Sequence, residues 1–396
     1  MSDFLSDRVK RLQPSPTLAV TQKAAELRAA GQDIIGLGAG EPDFDTPDNI
    51  KQAAIEAIRA GASKYTAVDG TPELKQAVID KFKRDNGLDY ELNQILVSTG
   101  AKQSLFNLCQ AVVNAGDEVI IPAPYWVSYP AMVEIAGGRP VFVTADWEQD
   151  YKITPEQLEA AITDKTKLVM LNSPSNPTGL AYTREEFQAL AEVLKRHPRL
   201  LIATDDMYEH ILWTEEPFVT LLNVAPELYD RTVVFNGVSK AYAMTGWRIG
   251  YAGGPAEIIG AMKKVQGQST SNPAAVSQAA AREALAGDQS KVGEMVKAFK
   301  QRHDRVYDLL REIPGVRVKP SMGTFYSFPD FRVAIEKLKG INDDKQLAEF
   351  LLKEAGVALV PGSAFGLPGH MRLSYATDMA TLEDACGRIR KAIESA

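Results

Sequence analysis

The sequence predicts an α/β protein in which helices cover both faces of a mostly parallel central sheet, with a smaller α+β domain after it. Two patterns carry this prediction. Up to residue 290, short β-branched or apolar runs alternate with helical patterns, as in a parallel sheet. Beyond residue 290, a long helical stretch precedes short extended runs and two further helices. A chain of 396 residues exceeds what one simple core usually supports, so two domains are expected.

Three helices are predicted to begin at a Thr-Pro pair, at Thr46-Pro47, Thr71-Pro72 and Thr154-Pro155. Threonine can cap a helix, and proline suits the first helical position because its missing N–H costs no hydrogen bond there. Strands are predicted at 94–98, 118–121, 168–171, 200–204 and 232–235, with helices at 103–113, 184–196 and 256–266. The C-terminal region predicts helices at 291–313, 344–355 and 379–395 and extended runs at 316–318 and 323–328. We expect an N-terminal arm that joins the small domain (1–46), a large domain (47–290) and a small C-terminal domain (291–396).

The composition excludes several classes of protein. A net charge of -7 disfavours nucleic-acid binding, which needs a basic face. Two cysteines, Cys109 and Cys386, are too few for a disulfide framework and favour a cytoplasmic location. The four histidines are widely spaced, so no metal site is expected. We expect no signal peptide and no membrane partner, because the N-terminus is polar and no run of 18 apolar residues exists.

The strongest candidate for chemistry is Lys240, in the segment Gly237-Val238-Ser239-Lys240. This segment follows the predicted strand 232–235, and ligands of parallel sheets bind beyond the carboxyl ends of strands. A lysine among small and apolar residues is partly desolvated, which lowers its pKa and makes its amine a usable nucleophile. Arg248 lies eight residues further on and could bind a phosphate through its fork of donors.

Polar motifs also follow other predicted strands. Asp205-Asp206-Met207-Tyr208 follows the strand 200–204, and a Pro- and Asn-rich segment that includes Asn176 follows the strand 168–171. In Gly100-Ala101-Lys102, small residues would let the amides of a helix N-terminus approach a phosphate. Each residue alone also fits a commoner role, such as a surface lysine or a strand-end turn, but their shared order favours one site.

In this order, the motifs resemble those of the class I pyridoxal-phosphate-dependent aminotransferases of fold type I, over nearly the whole chain. The resemblance is closest to the bacterial aspartate aminotransferase branch. It implies that Lys240 binds pyridoxal 5'-phosphate and moves the proton, and that Asp205 pairs with the pyridine nitrogen. The cofactor contacts that it implies elsewhere come from Gly100, Ala101, Lys102, Trp126, Asn176, Tyr208, Ser239, Arg248 and, from the neighbouring subunit of a homodimer, Tyr65.

The same resemblance implies the substrate contacts. Arg372 would bind the α-carboxylate through both of its terminal nitrogens. The other substrate contacts would come from Ser15, Thr17, Gly40, Lys102, Trp126 and Asn176. Lys102 and Thr17 favour a dicarboxylic substrate, with Ser15 nearby. Gln13 replaces the lysine of branch members that also accept prephenate, so that activity is not expected.

We therefore expect ping-pong transfer of the amino group of L-aspartate, or a related amino acid, to 2-oxoglutarate, giving oxaloacetate and L-glutamate. The alternatives on the same fold are an aminotransferase of broader aromatic and aspartate specificity and a pyridoxal-phosphate-dependent β-lyase. A cofactor-binding transcriptional regulator is disfavoured by the acidic charge. A nicotinamide dehydrogenase is disfavoured because Gly36-x-Gly38-x-Gly40 leads to Pro42 and not into a helix.

Overall fold

A seven-stranded sheet forms the centre of the protein, whose computed structural model describes residues 4–396. The strands are β1 Ile35–Gly36, β2 Ile95–Ser98, β3 Glu118–Ala123, β4 Arg139–Thr144, β5 Thr166–Asn172, β6 Leu201–Asp205, β7 Thr232–Gly237, β8 Gly250–Gly253, β9 Tyr326–Ser327, β10 Val357–Ala358, β11 Val360–Pro361 and β12 Met371–Ser374. The central order is β2-β8-β7-β6-β5-β3-β4, and only the pairings of β8 are antiparallel. The predicted mostly parallel sheet is confirmed.

Helices connect the strands. They are α1 Asp7–Arg11, α2 Pro16–Ala29, α3 Asp48–Arg59, α4 Pro72–Asn86, α5 Ala101–Val112, α6 Tyr129–Ile135, α7 Pro155–Ala161, α8 Arg184–Arg196, α9 Ala256–Gly267, α10 Ala275–Ala286, α11 Ser290–Arg311, α12 Arg332–Lys337, α13 Asp344–Phe350 and α14 Met379–Glu394. The Thr71 and Thr154 side chains cap α4 and α7 as predicted. Thr46 does not cap α3, because its hydroxyl instead donates to the carbonyl of Ala243 at 2.7 Å. Among residues 4–396, no helix is long and apolar enough to cross a membrane.

Side chains of the central strands alternate between two hydrophobic clusters, one on each face of the sheet. Ile95 and Val97 of β2 pack in the cluster that includes residues of α3, α4, α8 and α10. Leu96, between them, packs in the cluster that includes residues of α5, α6 and α9. Burial on both faces explains why these strands consist of apolar runs and not of alternating polar and apolar residues.

A third cluster lies in the C-terminal part of the chain and contains residues of α11, α14 and the sheet β11-β12-β9. The N-terminal arm meets this part, because β1 pairs in parallel with β10. Helix α11 contributes Val292 to the first cluster and Met295 to the third. The exact domain bounds of 46/47 and 290/291 stay a prediction.

Several short elements differ from the sequence-based expectation. The run 316–318 forms only an isolated bridge between Arg317 and Asp330, and only β9 is a strand within 323–328. Strand β8 was not predicted because its Gly-Tyr-Ala-Gly sequence lacks the β-branched residues that indicate a strand. Its Gly250 is required by packing, since a Cβ there would collide with the backbone of Ala101.

Candidate functional site

The carboxyl ends of the parallel strands open into a cavity of about 450 Å³. Thirteen of the fifteen site residues predicted from the sequence line it, although they come from segments hundreds of residues apart. These are Ser15, Thr17, Gly40, Ala101, Lys102, Trp126, Asn176, Asp205, Tyr208, Ser239, Lys240, Arg248 and Arg372. Their convergence follows from the sheet topology, because β5, β6 and β7 are neighbours and end at the same edge.

Gly100 and Tyr65 do not line the cavity. Gly100 precedes α5 with a φ of 84°, and a Cβ on it would lie 2.9 Å from the Arg248 guanidinium carbon. Glycine at this position therefore lets Arg248 approach the helix N-terminus. Tyr65 is 93% exposed in the single chain.

Lys240 lies in the cavity just after β7. Its Nζ donates a hydrogen bond to the Gly40 carbonyl at 2.6 Å. Burial and the nearby Arg372 guanidinium lower the pKa of Lys240 to about 8, because both disfavour the ammonium form. The amine is therefore closer to its nucleophilic form at neutral pH than an ordinary lysine.

Asp205 is the last residue of β6 and is buried. One carboxylate oxygen accepts a 2.6 Å hydrogen bond from the Tyr129 hydroxyl, and the other accepts from the Met207 amide at 3.3 Å. Burial raises the pKa of Asp205 to about 6, although the hydrogen bond from Tyr129 acts in the opposite direction. The carboxyl group is thus held rigidly and is suited to share a proton with a basic nitrogen in the cavity.

Arg372 is buried in β12 and contacts two segments of the cavity wall. One terminal nitrogen donates to the Asn176 side-chain oxygen at 2.9 Å and the other to the Gly38 carbonyl at 2.7 Å, while Nε has no partner. The guanidinium carbon lies 4.4 Å from the ring centre of Tyr326. A buried guanidinium that has only neutral partners and an unused donor is suited to bind an anion.

Positive charge dominates this cavity although the whole chain is acidic. Lys102, Lys240, Arg248 and Arg372 line it together with two carboxyl groups, Asp205 and Glu41. Among the described residues, none of the four cations lies within ion-pair distance of a carboxylate. The amides of Ala101 and Lys102 lie in the first turn of α5, where the helix dipole also favours an anion. Lys102 lies over the ring of Trp126, 5.0 Å from its centre. This concentration of positive charge is suited to a ligand with several negative charges.

Three residues that sequence analysis missed form hydrogen bonds with predicted site residues. Tyr129 holds Asp205, Asn172 accepts a hydrogen bond from the Asn176 amide at 2.9 Å, and the Tyr326 hydroxyl lies 3.0 Å from the Tyr208 hydroxyl. The end of β5 could have indicated Asn172, since the neighbouring strand ends were already selected by that rule. Tyr326 comes from the C-terminal part of the chain, and no local motif indicates that it meets Tyr208.

Comparisons with known proteins agree with this geometry. The family described as aminotransferase class I and II matches residues 32–389. The chain is 57% identical to an aspartate/prephenate aminotransferase from Cereibacter sphaeroides, over 98% of each chain, and 51% identical to an aspartate aminotransferase from a Bacillus species, over 100% of each.

Solved structures give the same result. The aspartate aminotransferase from Rhizobium meliloti is 49% identical over 99% of both chains, with a TM-score of 0.96. The aspartate aminotransferase from Thermus thermophilus with maleate is 43% identical over 99% of this chain and 100% of that one, with a TM-score of 0.93. The protein has the fold of these structures, and it belongs to the class I and II aminotransferases.

Proposed function

We propose that the protein transfers the amino group of L-aspartate to 2-oxoglutarate, with pyridoxal 5'-phosphate bound at Lys240, and forms oxaloacetate and L-glutamate. One observation carries this proposal. A single cavity contains four cationic side chains that have no carboxylate partner, together with the carboxyl group of Asp205, which a hydrogen bond holds in place. A phosphate and the two carboxylates of a dicarboxylic substrate would match Lys102, Arg248 and Arg372, which leaves Lys240 free to hold the cofactor. The names of the relatives support the same substrate.

The residues of the cavity fit the proposed cofactor. Arg248, Ser239 and the amides of Ala101 and Lys102 would hold its phosphate group. The buried Asp205 would hold a proton on its ring nitrogen, and when bound the cofactor supplies an electron sink for the reacting carbon. The remaining contacts would come from Trp126 beside the ring and from Asn176 and Tyr208 at the phenolic oxygen.

The chain's own groups account for binding and proton transfer. Arg372 would bind the α-carboxylate of the substrate, and Asn176 would fix its orientation. The Lys240 amine, with its pKa lowered to about 8, would take the proton from the substrate Cα and return it at the cofactor carbon C4′, two atoms away. One group serves as base and acid in turn, so its removal would abolish turnover.

Dicarboxylate specificity would come from three polar side chains of the cavity. Lys102, Thr17 and Ser15 line it, and the Thr17 hydroxyl is buried without a hydrogen-bond partner. A second carboxylate would satisfy both the Lys102 ammonium and this hydroxyl. Gln13 replaces the lysine of branch members that also accept prephenate, so prephenate remains an unexpected substrate, although the name of the Cereibacter sphaeroides relative includes it.

The active form that we propose is a homodimer with shared sites, in the cytoplasm. Tyr65 is 93% exposed in the single chain, which is unusual for an aromatic side chain. In the dimer it would reach the phosphate site of the partner subunit. Both cysteines are free and buried, in agreement with a reducing compartment.

An absorbance spectrum of the purified holoenzyme tests the proposal. We expect a visible cofactor band that is lost on addition of L-aspartate and returns with 2-oxoglutarate, whereas Lys240→Ala cannot complete the cycle. A band that ignores aspartate but responds to other amino acids would keep the chemistry and refute the substrate. Release of pyruvate and ammonia would indicate a β-lyase, and a protein without a band after added cofactor would refute the central claim.

A further inference from the structure

A cluster of buried polar side chains lies behind the loops that carry Asp205 and Lys240. It consists of Lys81 and Asn86 from α4, Glu209 from the loop after β6, and Asn236 from β7 (the Lys81 cluster). The side chain of Lys81 is 0% exposed and that of Glu209 is 2% exposed. None of the four residues lines the cavity, so none has a direct part in the proposed reaction.

The helix side of the cluster fixes the Glu209 carboxylate. Lys81 forms an ion pair with one oxygen of Glu209 and donates to the Asn86 side-chain oxygen at 2.7 Å. The Asn86 amide in turn donates to the other oxygen of Glu209 at 2.6 Å. Both carboxylate oxygens are therefore bound by groups of α4, which is itself buried against the sheet.

Asn236 connects Glu209 to the two loops that carry Asp205 and Lys240. Its amide donates to Glu209 at 2.8 Å and to the carbonyl of Asp206 at 3.1 Å, and its oxygen accepts from the Gly237 amide at 2.7 Å. Asp206 directly follows Asp205, and Gly237 precedes Lys240 by three residues. One side chain thus ties the end of β6 to the end of β7.

Stability alone does not explain why the cluster contains buried charges. Replacing a buried ion pair with apolar residues is often neutral or stabilising, because both ions lose their hydration on burial. Burial would raise the pKa of Glu209, but Lys81 and His210 hold it below its usual value, so the carboxylate stays ionised. Asp85, Glu209 and His210 also have metal-ligand spacing, but the Lys81 ammonium is the cation that Glu209 binds.

We infer that Lys81 is a positioning residue, which sets the relative placement of Asp205 and Lys240 through Glu209 and Asn236. The roles of Asp205 and Lys240 themselves rest on the proposed function. Displacement of a reacting group by about 1 Å can cost about 100-fold in rate, so a residue outside the cavity can control turnover in this way.

The test compares Lys81→Met with Lys75→Met in the holoenzyme. Lys75 lies on the same helix and forms a largely buried ion pair with Asp69 at 2.6 Å, and neither residue lines the cavity. We expect Lys81→Met to lower kcat for aspartate by about 10- to 100-fold with little change in KM. The pH midpoint of the cofactor's visible band should also shift, whereas Lys75→Met should change only the melting temperature.

Asn236→Ala keeps the inference testable if Lys81→Met does not fold. This variant leaves Lys81, Asn86 and Glu209 paired with one another, so no buried charge loses its partner. It should show the same loss of kcat and the same shift of the pH midpoint. Equal kcat and midpoint in Asn236→Ala and Lys75→Met would overturn the inference. Failure of the proposed function would be distinguishable, because the unmodified enzyme itself would then lack the cofactor band or the response to aspartate.

Discussion

At the scale of single residues, the cavity shifts an acid and a base toward their uncharged forms. Burial raises the pKa of Asp205 to about 6 and lowers that of Lys240 to about 8. Both shifts have the same cause, since a charged group loses hydration on entering the cavity. These shifts bring a proton-sharing carboxyl and a usable amine into the neutral pH range.

Lys240 should react with carbonyl compounds at unusually low pH in the cofactor-free protein. Since its lowered pKa is about 8, roughly a tenth of its amines are neutral at pH 7 and half at pH 8. Brief reductive methylation followed by peptide mass spectrometry would measure its rate against pH. The exposed Lys353 provides an internal reference. A Lys240 rate that does not exceed that of Lys353 at pH 7 would contradict the lowered pKa.

Tyr129→Phe should remove the hydrogen bond to Asp205 while the aromatic ring stays in place. The Tyr129 hydroxyl lowers the pKa of Asp205, so its removal should raise that pKa further and keep the carboxyl protonated to higher pH. We expect kcat/KM for aspartate to fall by about 10-fold at neutral pH, which is typical of a lost hydrogen bond to a charged group. The acid limb of the pH profile should move to higher pH. Tyr182→Phe, which loses a bond from the Ile153 amide, should leave that limb in place.

At the scale of elements, the turn between β2 and α5 depends on a close approach of two segments. Gly100 has a positive φ of 84°, and a Cβ on it would collide with the Arg248 guanidinium. We expect Gly100→Ala to displace Arg248 and to weaken binding of the phosphate-bearing cofactor, measured as the dissociation constant by fluorescence titration. Gly61→Ala is the matched control, because Gly61 has a φ of 82° but nothing within 4 Å of its Cβ position. Equal cofactor affinity in both variants would contradict this role of Gly100.

The same scale shows what the sequence could predict. Long apolar strands and Thr-Pro helix starts are local signals, and they placed β5, β6 and β7 and the capped helices α4 and α7. Pairings of two residues, such as β9 and β11 with β12, depend on contacts between distant segments and leave no periodic signal. Strand β8 was missed for a related reason. Its Gly250 is required by close packing against Ala101, which is distant in the sequence.

At the scale of the whole molecule, the motifs and the family that they resemble were enough to predict thirteen residues that share one cavity, but not the groups that hold them. Tyr129, Tyr326 and the Lys81 cluster act through contacts between segments as far apart as Tyr208 and Tyr326. A single sequence contains no direct signal for such contacts. The sequence therefore predicted the residues that line the cavity more completely than the residues that hold them in place.

The proposed homodimer makes a prediction at this scale. The holoenzyme should have twice the 43.2 kDa mass of one chain in light-scattering measurements. Tyr65, which is 93% exposed in the single chain, should be protected from nitration in that dimer. The urea-unfolded protein supplies the reference rate of nitration. A mass of one chain, or full reactivity of Tyr65 in the holoenzyme, would contradict shared sites.

The cluster of unpaired cations in the cavity has a consequence for the evolution of the chain. Lys102, Lys240, Arg248 and Arg372 all line the cavity, and like charges held close together repel. We therefore expect the cofactor-free protein to be less stable than a variant with neutral residues at these positions. Binding of the proposed anionic cofactor would relieve this repulsion and stabilise the folded form by mass action. Substitutions that neutralise Lys102 or Arg248 should thus make the empty chain more heat-resistant while they impair it as an enzyme. Selection for activity would therefore preserve these four cations, whereas selection for thermal stability alone would remove some of them.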